Sequence, residues 1–419
     1  MKVMKKICFS ILILGAALLV SCQDADVIKP YGSTEKPKKV AITDVVNGYG
    51  RSVIYYNLPD DNNLHYVKAV FTPRPGEQAE VNASFLTDSL VLNGFKEAGS
   101  CKVDLYSVSY GGTYSDPVTV TVSPDIPPYQ LAVQTLDCEE GFGGLTVKSK
   151  NPTEANLIVT VTKLDEDGVW KEVSTKYTSA ADVKFSVRGQ DAVPSTFRVT
   201  VKDRWGSSMT SEDINLTPIL EIECDKTRIK GVYGLPGDNS TQHSAVPNGG
   251  IWAAFDGVIS ATYNQDFSPS WHTAPNTGMP QHFTFDMGGV YVFSRMVWNP
   301  RHVYSNGHPR RFEIYGAMEL NPDPDRELYD VNGELDPYWT LLETFESHRP
   351  SGATVPASTE PLTTDDQNVY FVGEEFEFPT DVPPVRYVRF RTLETWGSVT
   401  YIECCEMTLF GTEITDGGE

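Results

Sequence analysis

Six of the seven histidines and five of the seven tryptophans fall within residues 222–411, so side chains able to do chemistry concentrate in the last half of the chain. On segments that read as loops there lie His272, Arg301, His302, Tyr304, Asn306 and Trp396. Guanidinium, imidazole and carboxamide groups are planar hydrogen-bonding groups suited to hydroxyl-rich ligands, and an aromatic ring offers a face to the apolar side of a sugar ring. Trp396, beside Gly397 in the loop before the last strand, is expected to be the exposed platform, whereas Trp271 and Trp298 are expected in the core. With 56 acidic residues, carboxylate pairs occur everywhere and do not by themselves argue for a glycosidase. The chain has no Gly-x-Ser-x-Gly elbow, no His-Glu-x-x-His and no phosphate-cradling glycine loop, so the chemistry reads as binding rather than catalysis.

The elements that must position these residues are strands. The chain has 419 residues, 40% apolar and 11% aromatic, with a formal net charge of −22. A single core rarely grows past about 250–300 residues, so two or three domains are expected. Clustered Lys/Arg, which nucleic-acid binding requires, is missing, and an acidic surface disfavours polyanionic partners. Alternating runs at 52–57, 66–72, 89–92, 102–110 and 118–122 predict a first β-sandwich over 40–124. A second segment, 129–218, repeats the closing hairpin: a strand at 197–202, a turn at Arg204-Trp205-Gly206 and a last strand at 212–216. Asp125-Ile126-Pro127-Pro128 reads as the linker between them. Both segments resemble fibronectin type III or immunoglobulin-like modules and read as spacers. Insertions at 321–337 and 350–366 are long loops of undetermined role.

At the N-terminus, Lys2, Lys5 and Lys6 precede an apolar run over 7–20, the layout of a secretory signal over 1–21 that is too short to span a membrane. Leu19-Val20-Ser21-Cys22 resembles a bacterial lipobox, which implies that Cys22 becomes an acylated N-terminus. Gln23-Asp24-Ala25-Asp26 is similar to export signals that place lipoproteins on the outer face of the outer membrane. Residues 22–39 then read as a tether, and the protein as anchored to the membrane without crossing it. Cys101, Cys138, Cys224, Cys404 and Cys405 remain, an odd and sparse set that is no disulfide framework and no zinc pattern.

Within 222–413 four landmarks occur in order: Trp252-Ala253-Ala254-Phe255-Asp256-Gly257 leading to Trp271-His272-Thr273; His282-Phe283-Thr284-Phe285-Asp286-Met287-Gly288; Val297-Trp298-Asn299-Pro300-Arg301 with Phe312-Glu313-Ile314-Tyr315-Gly316; and Val385-Arg386-Tyr387-Val388-Arg389-Phe390 closing with Glu406-Met407-Thr408-Leu409-Phe410-Gly411. This segment resembles the discoidin family, also called coagulation factor 5/8 C-type or galactose-binding-like domains. The resemblance implies an eight-stranded jelly roll with ligand loops at one end; with the two segments before it, the expected fold class is all-β, two tandem immunoglobulin/fibronectin III-like sandwiches followed by a discoidin-like jelly roll. It implies that Asp286 is structural, that Arg301 matches the family's arginine after proline, and that a structural Ca²⁺ is held by Asp256, Thr262 and Glu406. Val258 stands where an Asp or Asn is usual, and the loop to Trp271 is lengthened. The expected function is a surface lipoprotein that binds carbohydrate and serves a glycan-uptake complex; the alternative is an adhesion or assembly protein that binds a protein or matrix partner.

Overall fold

In the computed structural model, the described residues are 35–238, 250–259, 270–275 and 278–415. The lipobox with Cys22, and Thr262 of the calcium set, lie outside them.

The chain is all-β. In the first sandwich one sheet orders Ala41–Gly48, Arg51–Asn57 and Ser89–Asn93, and the other orders Glu77–Ser84, Leu64–Arg74, Cys101–Ser109 and Val118–Val122. Alternate residues of each strand point inward, so Ile54, Tyr56, Val67, Ala69, Leu90, Leu92, Val103 and Leu105 fill the space between the sheets. The strand Glu77–Ser84, not expected from the sequence, alternates only small apolar residues, Ala79, Val81 and Ala83, with polar ones.

The second sandwich pairs a sheet built on Leu157–Leu164 and Ser195–Asp203 with a smaller one of Asp182–Val187, Gly144–Lys150 and Asp137–Gly141. The segment expected to be a plain linker continues into a helix, Pro128–Gln134, with Pro128 in its first turn where a missing N–H does no harm. Tyr129 and Ala132 of this helix plug one end of the core.

The third domain opens with Ile222–Glu223, which pairs with Gly411 and Phe410 near the chain's other end. Its longest strand, Gln281–Asn299, belongs to both layers. Residues 281–286 pair with Val385–Thr395, and residues 290–299 pair with Glu406–Ile414. The change of partner occurs at Gly288-Gly289, where Gly288 has φ 68° and any Cβ would strike the Arg228 backbone. Asp286 holds this corner: its carboxylate accepts the Gly288 N–H at 2.8 Å and pairs with both arms of Arg386 at 2.9 Å. Between the layers lies an aromatic core that includes Phe283, Phe285, Phe293, Trp298, Phe312, Phe376 and Phe390. Trp271 and Trp298 are buried in it, as expected.

All five described cysteines are free thiols. The second and third domains meet through charged groups: Arg188 reaches Glu221 at 2.7 Å and Glu377 at 2.5 Å, while Ser294 donates to Glu221 at 2.6 Å.

Candidate functional site

One end of the third domain is built from three segments: 299–308, the short strand Trp271–His272, and 396–405. Pro300 ends the long strand, after which Tyr304 takes a left-handed conformation (φ 48°) and turns the chain back. Gly307 packs flat against the third segment, since a Cβ there would meet Tyr401 at 2.7 Å and Glu403 at 2.9 Å. Trp271–His272 pairs with Cys404 and Glu403, and this backbone pairing brings His272 and Glu403 side by side.

The result is a polar cluster around Glu403. Its carboxylate lies 3.5 Å from Arg301 Nη1 and 3.6 Å from His272 Nε2. Burial pushes the Glu403 carboxyl up to about 7, against the opposing pull of Arg301 and the Gly307 N–H. His272 Nδ1 sits 2.8 Å from the Thr273 carbonyl, so Nδ1 carries the hydrogen and Nε2 faces Glu403. Tyr401 stacks on the His272 ring at 5.0 Å and is half-buried. The exposed Asn306 side chain hydrogen-bonds the Tyr401 phenol. His302 is half-buried beside Arg301. A cluster of this kind offers two-way hydrogen bonding from a fixed floor, next to one aromatic face.

Three expected contact residues are not at the surface: His272 is buried at 6% exposure beneath Tyr401, and Trp396 and Tyr304 lie deeper still. Trp396 is buried, and its Nε1 donates to Ser347 Oγ at 3.0 Å. Tyr304 is fully buried and packs edge to face with Trp396 at 5.1 Å. For the last two the cause is the insertion after residue 350. Its helix Thr364–Val372 lays Val369 and Tyr370 over both rings, and the wholly buried Arg349–Asp366 pair, at 2.8 Å, pins that segment down. Trp396 is therefore the base on which the loops rest and not the platform. Tyr401 and Glu403, which sequence reasoning passed over, supply the half-buried ring and the buried hydrogen-bonding carboxylate of the cluster. Their signal was present in the alternation Tyr401-Ile402-Glu403-Cys404, with Ile402 and Cys404 in the core.

The two described members of the calcium set, Asp256 and Glu406, do not form part of a hard-cation cage. Glu406 is buried, and the Lys226 ammonium lies 2.7 Å from its Oε1 while also donating to Thr408 Oγ1 at 2.8 Å. The other oxygen, Oε2, accepts the Gly257 N–H at 2.9 Å. Asp256 spends one oxygen on the Val258 N–H at 2.9 Å, and Val258 brings no oxygen-bearing side chain. A divalent cation at Glu406 would face a fixed positive charge, so among the described residues Asp256 and Glu406 do not fit Ca²⁺. Among the described residues no group of three or more His, Cys, Asp or Glu is placed to hold a metal.

Three protein families match the chain in succession, each described as a domain of unknown function: DUF4959 over residues 37–124, DUF5126 over 125–227 and DUF5000 over 259–411. No curated protein matches. Among solved structures, the chain is similar to a SusE-like protein, at 27% identity over 69% of this chain and 100% of that one, with a TM-score of 0.42. It is also similar to the family 32 carbohydrate-binding module of Clostridium perfringens NanJ, solved with galactose, at 15% identity over 45% of this chain and 98% of that one, TM-score 0.28. A further module from C. perfringens, solved with GalNAc-β-1,3-galactose, is 17% identical over 45% of this chain and 99% of that one, TM-score 0.29.

Proposed function

We propose that the protein is a glycan-binding surface lipoprotein whose third domain takes carbohydrate at the loop end around Glu403, without catalysing a reaction. The observation that carries this reading is the convergence of Arg301, His272, Glu403, Asn306 and Tyr401 from three separate segments onto one patch. A sugar presents vicinal hydroxyls that both donate and accept, and a carboxylate beside a guanidinium answers both needs. Tyr401 supplies the ring for the sugar's apolar face.

In this reading Cys22 carries the lipid anchor on the outer face of the outer membrane, and the first two sandwiches hold the third domain away from the bilayer as part of a glycan-uptake complex. No helix among the described residues is long and apolar enough to cross a membrane. The test is calorimetric titration of the whole chain with galactose, N-acetylgalactosamine and neutral oligosaccharides that contain them or glucose. Tyr401→Ala and Arg301→Ala should each weaken binding about tenfold, the loss of roughly 1.4 kcal/mol. Binding unchanged in both variants would remove this site, and no binding to any of the sugars would remove the function.

A further inference from the structure

The first two sandwiches are joined tightly, and their joint holds a cleft of about 220 Å³. Gly50 (φ 62°) sits so close to the connecting segment that a Cβ would come within 3.1 Å of Pro127 and Pro128. Gly94 (φ 84°) lies against the Trp205 indole, where a Cβ would approach to 3.2 Å. Hydrogen bonds lock the two domains: Tyr129 Oη donates to the Lys96 carbonyl at 2.8 Å, Arg74 Nη1 to the Trp205 carbonyl at 3.0 Å, and the Gly50 N–H to the Asp125 carbonyl at 3.1 Å. The cleft is therefore preformed, and a ligand entering it need not order the chain.

The wall of the cleft is chemically distinctive. Tyr49, Arg51, Asn93, Glu154, Asn156 and Arg204 all line it. Among the described residues their side chains make no hydrogen bond or ion pair, and Arg204 lies 4.2 Å over the Trp205 ring. Arg204 braces the Trp205 ring that Gly94 packs against; the hydrogen bonds of the joint are made by other groups, so they do not explain why the remaining five side chains converge. Glu154, moreover, is held at φ 51°, a conformation a non-glycine residue rarely adopts and one that recurs at binding sites. Two cations, Arg51 and Arg204, against two carboxylates, Glu154 and Asp203, leave little net charge; one oxygen of Asp203 also accepts the N–H groups of Trp205 and Ser207, both at 2.9 Å. Carboxamides that donate and accept, an exposed tyrosine ring and near-neutral charge suit a neutral, hydroxylated ligand better than a phosphate or an acidic peptide.

We infer that this cleft is a second carbohydrate site, for one residue of a neutral oligosaccharide, separate from the loop end of the third domain. The volume is below the roughly 300–1,000 Å³ of clefts that enclose a drug-sized ligand, so the remainder of the oligosaccharide would lie outside. The inference rests on the reading of the chain as a glycan binder but uses none of the residues of the other site.

The experiment is calorimetric titration of the whole chain with neutral oligosaccharides ending in galactose, N-acetylgalactosamine, glucose or mannose, comparing the unmodified chain, the double variant Tyr49→Ala with Asn156→Ala, and Tyr401→Ala. Both cleft positions are exposed, so an unchanged melting curve is expected of the double variant. The expected result is two sites per chain, with the double variant weakening one by at least about tenfold, the effect of losing a hydrogen bond or two, and Tyr401→Ala weakening only the other. A single site sensitive to Tyr401→Ala alone overturns the inference and leaves the loop site standing. A single site sensitive to the cleft variant alone supports it and overturns the loop site. No binding to any probe overturns both.

Discussion

Replacing Lys226 by methionine tests whether an internal ammonium performs the clamping that a calcium ion would. Lys226 touches Glu406 at 2.7 Å and Thr408 at 2.8 Å, so it ties the start of the third domain to its last strand. Methionine keeps much of the apolar stem but leaves Glu406 buried with the Gly257 N–H as its remaining hydrogen-bond donor and with Asp256 close enough to repel it. Removing one partner of a fully buried ion pair costs about 3–5 kcal/mol. Lys226 retains 18% of its side-chain exposure, which admits water and brings the expected loss to about 2–3 kcal/mol. For a domain of this size that is a fall in melting temperature of roughly 4–12 °C, at about 2–4 °C per kcal/mol. The pH dependence has a definite sign. Burial already raises the Glu406 carboxyl above its ordinary value, against the pull of Lys226. Without Lys226 it rises further, so the variant's deficit is largest at neutral pH and shrinks as acid protonates Glu406. The assay is scanning calorimetry at pH 5 and pH 7.5, each with EDTA and with millimolar CaCl₂. The unmodified domain should melt at one temperature under both metal conditions. If calcium stabilises it, by about 2.7 kcal/mol at a hundredfold excess over Kd, the argument from Lys226 is refuted.

Two further outcomes follow from buried carboxyls. Burial raises Glu403 from 4.5 to about 7, so the folded state holds a proton that the unfolded chain releases, and stability falls as pH rises between those values. Glu403→Gln should flatten that slope and raise stability at pH 7.5 by roughly 1–3 kcal/mol while leaving pH 4.5 nearly unchanged, as read by denaturant melts at the two pH values. Asp366 behaves oppositely: burial alone would raise its carboxyl, yet Arg349 and the N–H groups of Ser351 and Thr363 hold it well below the ordinary range. Arg349→Met should therefore cost about 3–5 kcal/mol at neutral pH and loosen the cover over Trp396, giving an indole whose fluorescence shifts to the red; an unshifted spectrum and melting point would contradict the pinning role.

Much of the architecture was legible because strand periodicity is local. The alternation at 102–110 gave the strand Cys101–Ser109, and that at 118–122 gave Val118–Val122. The short helix Pro128–Gln134 escaped because seven residues with two buried side chains set up no period. At the site, Arg301 and Asn306 were legible from residue type and loop position and His272 from residue type alone, since it lies buried on a short strand; the three converge around Glu403 and Tyr401. Trp396 misled because a tryptophan beside a glycine in a loop reads as exposed, whereas its environment is set by a helix that arrives from residues 364–372.

The sequence alone determined the all-β class, the strand alternation of the sandwiches and the aromatic core of the third domain, since each depends on the spacing of apolar residues along a few turns of backbone. Only the tertiary structure decided which aromatic ring faces solvent, which cation meets Glu406 and what converges at the joint of the first two domains. Those are contacts between residues far apart in the chain, such as Lys226 with Glu406 or Gly94 with Trp205. They are set by where folding brings segments together, and no local pattern encodes that.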